Sequence, residues 1–311
     1  MPLNFERLHA PELSALPRDR TLFIFALGVH EDHGPHLPIG MDLLESGHLA
    51  RRAAERIETE MPGWTAVLMP ALPLSVNSGT TALAFPVRAH VVRDYLVDVC
   101  LGLGRNGFRF FTVMSGQWGP HQITAIEDAG RILSRKSRKG WLNRVFRRSS
   151  GRELLLVGAQ SACIAREEAM RSPLWPSPLE HGGARDTSVA LAIASDQVAS
   201  AYLGLPEVTR TEEGLPYLLQ RLRHQVSGYL GKPSAGDAQR GEELIRDQLD
   251  TLVPKLRAVI AGSNPAFLFR SWYSIFPSNR SLFKAWVLAL GIGLILIAWM
   301  ALSISMMVAT P

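Results

Sequence analysis

Residues 28–42 read Gly28-Val29-His30-Glu31-Asp32-His33-Gly34-Pro35-His36-Leu37-Pro38-Ile39-Gly40-Met41-Asp42, directly after the apolar run Thr21–Leu27. That run has the length and composition of a buried strand. Gly34-Pro35, Pro38 and Gly40 then forbid a continuous helix, so the segment is an irregular loop at a strand's end, where α/β sheets place their ligand crevice. Glu31 and His33 are two apart and point the same way in extended backbone. Carboxylate oxygen and imidazole nitrogen together are the donor set of Zn, Mn or Fe. Asp42, beyond the Pro38–Gly40 turn, can fold back and bridge two ions with its two oxygens. The same residues also fit a plain polar loop whose histidines hydrogen-bond backbone carbonyls.

The chain on either side alternates between two periods. Leu43–Glu60 sets Leu44, Leu49, Ala53 and Ile57 at helical spacing and stops before Pro62-Gly63, and Thr65–Met69 reads as a second strand. Val87–Leu103 is an amphipathic helix closed by residues 104–107, Arg109–Met114 a third strand and Glu153–Gly158 a fourth. This βαβα order predicts a parallel sheet covered on both faces. Residues 1–20 form a polar lead-in with no clear period. At 311 residues and 47% hydrophobic content the chain holds one large α/β domain plus an appendage, and it is not disordered. Cys100 and Cys163 stand in apolar surroundings without CxxC spacing and read as buried thiols of a reducing compartment. Met1–Arg7 lacks a basic start followed by an apolar run, so no secretory signal is expected.

Two further stretches concern membranes. Residues 285–309 carry no charge, and their only hydroxyls are Ser303 and Ser305; about 20 apolar residues suffice for a span. Arg270, Arg280 and Lys284 precede this run, which by the positive-inside bias puts the large domain in the cytoplasm. The expectation is a single-pass C-terminal anchor in the cell membrane: a domain over 1–262, an interfacial linker over 263–284 rich in aromatics, and a transmembrane helix over 285–309. The second stretch, 131–152, holds nine basic residues and no acidic one. Trp141, Leu142, Val145 and Phe146 fall on one helical face there. It reads as a basic amphipathic insertion docking on anionic lipid through Arg138, Lys139, Trp141 and Phe146. A nucleic-acid patch and a solvated insertion are the rivals; with the chain already tethered, lipid is the expected partner and nucleic acid is not.

Residues 28–42 resemble the first metal motif of the creatininase family (creatinine amidohydrolase and its relatives), Gly-x-x-Glu-x-His-Gly-x-His-Leu-Pro-x-x-x-Asp, at Gly28, Glu31, His33, Gly34, His36, Leu37, Pro38 and Asp42 without gaps. The resemblance implies a three-layer α/β fold with a mainly parallel central sheet, metal ligation by Glu31 and His33, and a bridging Asp42, with one or two divalent ions per chain, Zn foremost and Mn or Fe as alternatives. Residues 115–122 stand where the family reads Asn-Gly-His-Gly-Gly-Asn, with Gln117 in the place of a ligand histidine. Either His121 takes over that role or one metal position is weakened or absent. Glu180–Ser188 resembles the family's His-Ala-Gly-Glu-x-Glu-Thr-Ser at His181, Gly183, Thr187 and Ser188, with Ala184 and Asp186 in place of the two glutamates. This implies Asp186 as a ligand and His181 as proton donor to a leaving nitrogen, or else as a loop histidine capping the following helix. His36, Gln117 and Trp118 are assigned to the substrate side. Residues 77–81 replace a longer loop of the family, and Gly228–Pro233 with a helix from Gly236 to Ile260, kinked at Pro254, resembles its closing segment.

Together these imply a metal-dependent amidohydrolase acting on a non-peptide or cyclic C–N bond of a small amide, held at the membrane. The departures at Gln117, Ala184, Asp186 and 77–81 keep open a catalytically inactive scaffold or partner subunit of a membrane complex. The family is often oligomeric, and Gly291 and Gly293 leave small surface on the apolar run, so a homo-oligomer is a further expectation.

Overall fold

Every residue of Thr21–Leu27 (β2) is buried, as a strand must be when helices cover both faces of its sheet. The computed structural model describes residues 2–76, 83–138, 153–164, 180–209, 228–271, 273 and 280–308. In it β2 is the middle of a five-stranded sheet with Leu3–Asn4 (β1), Thr65–Leu68 (β3), Phe110–Ser115 (β4) and Leu155–Gly158 (β5), in the order β1-β3-β2-β4-β5. All four pairings are parallel; β2 meets β3 from Thr21↔Thr65 to Ile24↔Leu68 and β4 from Leu22↔Phe110 to Leu27↔Ser115.

Side chains alternate across β2 and so build two cores. Leu22, Ile24 and Ala26 pack with helices Met41–Glu60 (α2), Ala184–Ile193 (α6) and Ala238–Ile260 (α7). Phe23, Phe25 and Leu27 pack with Ala89–Arg105 (α3) and Pro120–Arg138 (α4) on the other face. The result is the three-layer α/β architecture expected from the chain's alternating periods. Burying one such aromatic or aliphatic side chain contributes about 1.5–3 kcal/mol, so the sheet is the rigid platform from which the loops at its C-terminal edge are hung. Cys100 and Cys163 are buried free thiols.

Two expectations are corrected. The lead-in is not featureless: Leu3–Asn4 adds a fifth strand beside β3, and Ala10–Ala15 (α1) is helical. A two-residue strand is too short to show any period. The basic run does not begin as an insertion, because residues 131–138 are the last turns of α4, with Leu133 fully buried against the sheet. Residues 139–152 lie outside the described residues, and with them Lys139, Trp141 and Phe146; Arg138 ends α4, its side chain likewise outside the description. The shortened loop at 77–81 is outside them too. A short helix, Ala159–Ile164 (α5), follows β5, and α7 runs unbroken through Pro254.

The C-terminal apolar run is described in part. Pro265–Leu268 (α8) is followed by a helix, Arg280–Val308 (α9). Among the described residues no helix is long and apolar enough to cross a membrane. The side chains described in α9 are those of residues 287–303, short of the roughly 20 apolar residues a span requires. Among them Leu288, Leu294, Ile295, Ile297 and Trp299 are each at least 60% exposed.

Candidate metal centre

The loop after β2, the turn after β4, the start of α2 and the start of α6 meet at the C-terminal edge of the sheet. Two close approaches make this geometry. A Cβ at Gly116, just past β4, would lie 2.1 Å from the Asp42 carbonyl oxygen, so only glycine lets α2 begin against the strand ends. Gly182, at φ +60, sits against the His33 backbone, where a Cβ would be 2.5 Å from its oxygen. The loop itself is pinned by backbone bonds from Glu31 to Ile39 (3.1 Å) and from Asp32 to Leu83 (2.8 Å). His181 is held by a reciprocal backbone pair with Leu230.

Glu31, His33 and His181, all buried, bring their ligand atoms within 4.8 Å of one another. The rings of His33 and His181 stack at 4.3 Å with a 31° tilt. Each is oriented by a backbone carbonyl, which can only accept: His33 Nδ1 donates to Glu31 O at 3.0 Å and His181 Nε2 donates to Asp32 O at 2.8 Å. The other nitrogen of each ring therefore faces inward, as outer hydrogen bonds commonly arrange for metal-binding imidazoles. His33 Nε2 lies 3.2 Å from Asp42 Oδ1 and His181 Nδ1 lies 4.0 Å from Glu31 Oε1.

The residues fit a divalent ion. Glu31 Oε2 and Asp42 Oδ2 are buried with no hydrogen-bond partner among the described residues, a costly state for carboxylate oxygens. Ligand atoms of Glu31, His33 and His181 that all lie within 4.8 Å of one another are close enough for a single ion with bonds of roughly 2.1–2.3 Å to draw together. The electrostatics agree. Burial, and next the Asp42 charge, push the Glu31 carboxyl up to about 8. Burial opposes a charged His33, but the hydrogen bond and charge of Asp42 outweigh it and raise His33 to about 10. Protons thus hold the places that a cation would take.

Asp186 stands beside this group but is otherwise committed. Its Oδ2 accepts from Gly182 N at 2.7 Å and its Oδ1 from Arg185 Nη1 at 2.9 Å. Burial alone would raise its pKa; the adjacent guanidinium overrides that and holds it at about 2. Arg185 also donates from both Nη groups to Glu45, and its guanidinium lies 5.4 Å from the Trp118 ring. Gln117 donates from Nε2 to Glu31 Oε1 at 2.9 Å and accepts at Oε1 from Gly119 N at 3.0 Å. His36 bonds Thr187 Oγ1 through Nε2 at 2.8 Å, its Nδ1 is buried without a partner among the described residues, and burial lowers its pKa to about 4.

Of the residues singled out by sequence, Glu31, His33, Asp42, His181, Asp186, His36 and Gln117 are thus brought together. His121 is not: it sits exposed on the first turn of α4. His181, expected as a proton donor, stands with the ligand atoms. Arg185 and Glu45 escaped the reading. The available signal was Glu45 one helical turn after Asp42, and an arginine flanking Asp186.

The family profile described as "Creatininase: Creatinine amidohydrolase" matches residues 6–256. The "Mycofactocin precursor peptide peptidase" of Mycobacterium ulcerans (strain Agy99) is 25% identical over 254 residues, covering 78% of this chain and 87% of that protein. The creatinine amidohydrolase of Pseudomonas putida is 24% identical over 193 residues, 57% of this chain and 66% of that protein. Among solved structures, a creatinine amidohydrolase superposes at a TM-score of 0.63 and 19% identity. A creatininase in a Mn form does so at 0.62 and 19%, and a mutant creatininase of Zn-Zn type at 0.61 and 18%. Each covers 84% of this chain and 99% of its own.

Proposed function

The chain belongs to the creatininase family, whose members are metal-dependent amidohydrolases, and on that premise we propose that it hydrolyses a C–N bond of a small non-peptide or cyclic amide. The observation that carries this is the convergence of buried Glu31, His33 and His181, whose ligand atoms lie within 4.8 Å of one another, beside two buried carboxylate oxygens, Glu31 Oε2 and Asp42 Oδ2, that have no hydrogen-bond partner among the described residues. Glu31, His33, Asp42 and His181 would hold the ion, with Zn or Mn suited to such a mixed oxygen and nitrogen set. A bound ion supplies a water of lowered pKa and a Lewis acid for the substrate carbonyl. The chain's own residues do the rest. Backbone carbonyls of Glu31 and Asp32 fix both imidazoles, Gln117 holds Glu31 in place, and the buried surroundings exclude bulk water. His36, neutral at pH 7 and with its Nδ1 unpartnered, is left to hydrogen-bond the substrate.

The test is a screen of cyclic and acyclic amides with metal-loaded protein, read by the appearance of a free amino group, on the ring-opened product or on the released amine. Turnover that disappears in Glu31→Ala, with the variant still folded, supports the assignment. No turnover across the screen by a protein that retains its ion favours the scaffold reading.

The second part of the proposal concerns place. A helix whose apolar side chains are exposed on every side needs an apolar surrounding, and α9 is such a helix within a charge-free run that continues beyond its described side chains. We place that helix in the cell membrane, with the catalytic domain on the cytoplasmic side and the basic run 131–152 against anionic headgroups. Flotation with lipid vesicles tests it: the full chain floats and a chain lacking residues 280–311 does not. Equal flotation of the two removes the helix from the argument.

A further inference from the structure

We infer that this centre holds one divalent ion, its second position being filled by the carboxamide of Gln117 and the guanidinium of Arg185. The inference rests on the metal-centre reading above and adds the number of ions and the residues that set it.

The inward donors are few. Among the described residues, Glu31, His33 and His181 bring ligand atoms within 4.8 Å of one another, Glu31 Oε2 and Asp42 Oδ2 have no hydrogen-bond partner, and His33 Nε2 faces only Asp42 Oδ1, at 3.2 Å; these four side chains are enough donors for one four-coordinate ion. Two ions in a shared site stand about 3.5–4 Å apart and need donors on both sides. In this chain the remaining oxygen of Glu31, Oε1, is met by the Nε2 amide hydrogens of Gln117 at 2.9 Å. An N–H aimed at that oxygen occupies the direction from which a second ion would approach.

The orientation of this amide is determined by its partners. Gln117 Oε1 accepts from Gly119 N–H at 3.0 Å while Nε2 donates to the carboxylate. Turning the amide over would set its oxygen against the carboxylate and its NH2 against an N–H, losing both bonds. A second ion at Glu31 therefore has to break two hydrogen bonds, one buried and one partly buried, to gain one weak amide ligand.

The other flank is closed by charge. Both oxygens of Asp186 are engaged, by Gly182 N–H and by Arg185. Arg185 is itself tied to Glu45 through both Nη groups and is 11% exposed at its side chain. Its positive charge is fixed beside the carboxylate that a second ion would need. Arginine does not give up its proton in proteins, so this position stays cationic at every working pH. One ion and one guanidinium share the acidic group where a relative of Zn-Zn type is described with two metals.

The test is metal content of the full-length protein after loading with excess Zn or Mn and removal of unbound ion, for wild type, Gln117→His, Gln117→Leu and Glu31→Ala, with circular dichroism to verify folding. Expected are one ion in wild type and in Gln117→Leu, two in Gln117→His, and none in Glu31→Ala. The Mn-loaded wild type should give the paramagnetic resonance signal of an isolated ion, and Gln117→His that of an exchange-coupled pair. Two ions in wild type overturn the inference while leaving the metal centre standing. No ion in folded wild type overturns the metal centre itself. One ion in a folded Gln117→His removes Gln117 as the excluding group and overturns its part.

Discussion

Arg185 reaches Glu45 with both of its Nη groups, from a helix 140 residues further along the chain, and uses one of them again for Asp186. Burial works against the Arg185 charge, yet Glu45 and Asp186 more than compensate and raise its pKa above the ordinary value. Such a pair contributes little over an apolar replacement of both partners, but removal of one partner strands buried charge. Arg185→Met is expected to lower unfolding stability by about 3–5 kcal/mol. Glu45→Met combined with Arg185→Met should recover part of that loss. Urea titrations of the two variants decide it, and a single variant as stable as wild type would count against the buried pair.

The ion-free protein should lose stability as pH rises. Glu31, at 4.5 unfolded, sits at about 8 folded, and His33, at 6.5 unfolded, sits at about 10. Both folded values are raised, so each contribution is complete below the unfolded value and is lost as pH climbs through the folded one. Above pH 6.5, where the lowered histidines such as His36 no longer titrate in either state, the Tm of chelator-treated protein is therefore expected to fall, up to about pH 10. The gap to the Zn-loaded form should widen over the same range, because ion binding displaces those protons. A Tm of the ion-free form that rises with pH would contradict both assignments.

Gly116→Ala is expected to act at the centre without touching a ligand. Its Cβ would meet the Asp42 backbone at 2.1 Å from the oxygen and 2.5 Å from Cα, so the start of α2 has to move. Overpacking of this kind costs about 1–3 kcal/mol, and Asp42 moves with the helix. Zn affinity measured by calorimetry should weaken along with thermal stability. Unchanged affinity would mean that the loop after β2 positions Asp42 by itself.

Phe23→Ala tests the platform. Phe23 is fully buried and meets the Phe108 ring at 4.9 Å and the Phe111 ring at 5.9 Å. Truncation should cost about 3–5 kcal/mol, with the ion count per chain retained at temperatures where the variant is folded.

The sheet and the loop after β2 were legible because their signals are local. Thr21–Leu27 is a continuous apolar run, and Glu31 and His33 lie two residues apart in one stretch. β1 was illegible for the opposite reason: two residues carry no period, and their partner Val67 is 64 positions away from Leu3. The roles at the centre divide along the same line. The resemblance of its own segment to the family's placed Asp186 among the ligands, and nothing in that resemblance reveals that Arg185 turns back on it. His121 was a candidate because it stands four positions after Gln117, yet α4 starts between them and carries it out to solvent. The inward imidazole of His181 depends on the Asp32 carbonyl, 149 residues earlier, a partner no window of sequence contains.

That long reach has a consequence for how the protein matures. His36 and Thr187 are 151 residues apart, His181 and Asp32 149, and Arg185 and Glu45 140. Contacts of such separation come after local helices and neighbouring strands, because the loops they close are the most expensive in entropy. The ion pocket consequently exists only once the loop after β2 and the start of α6 have met. A nascent chain cannot capture its metal early, and the free energy of binding goes into holding that last closure shut.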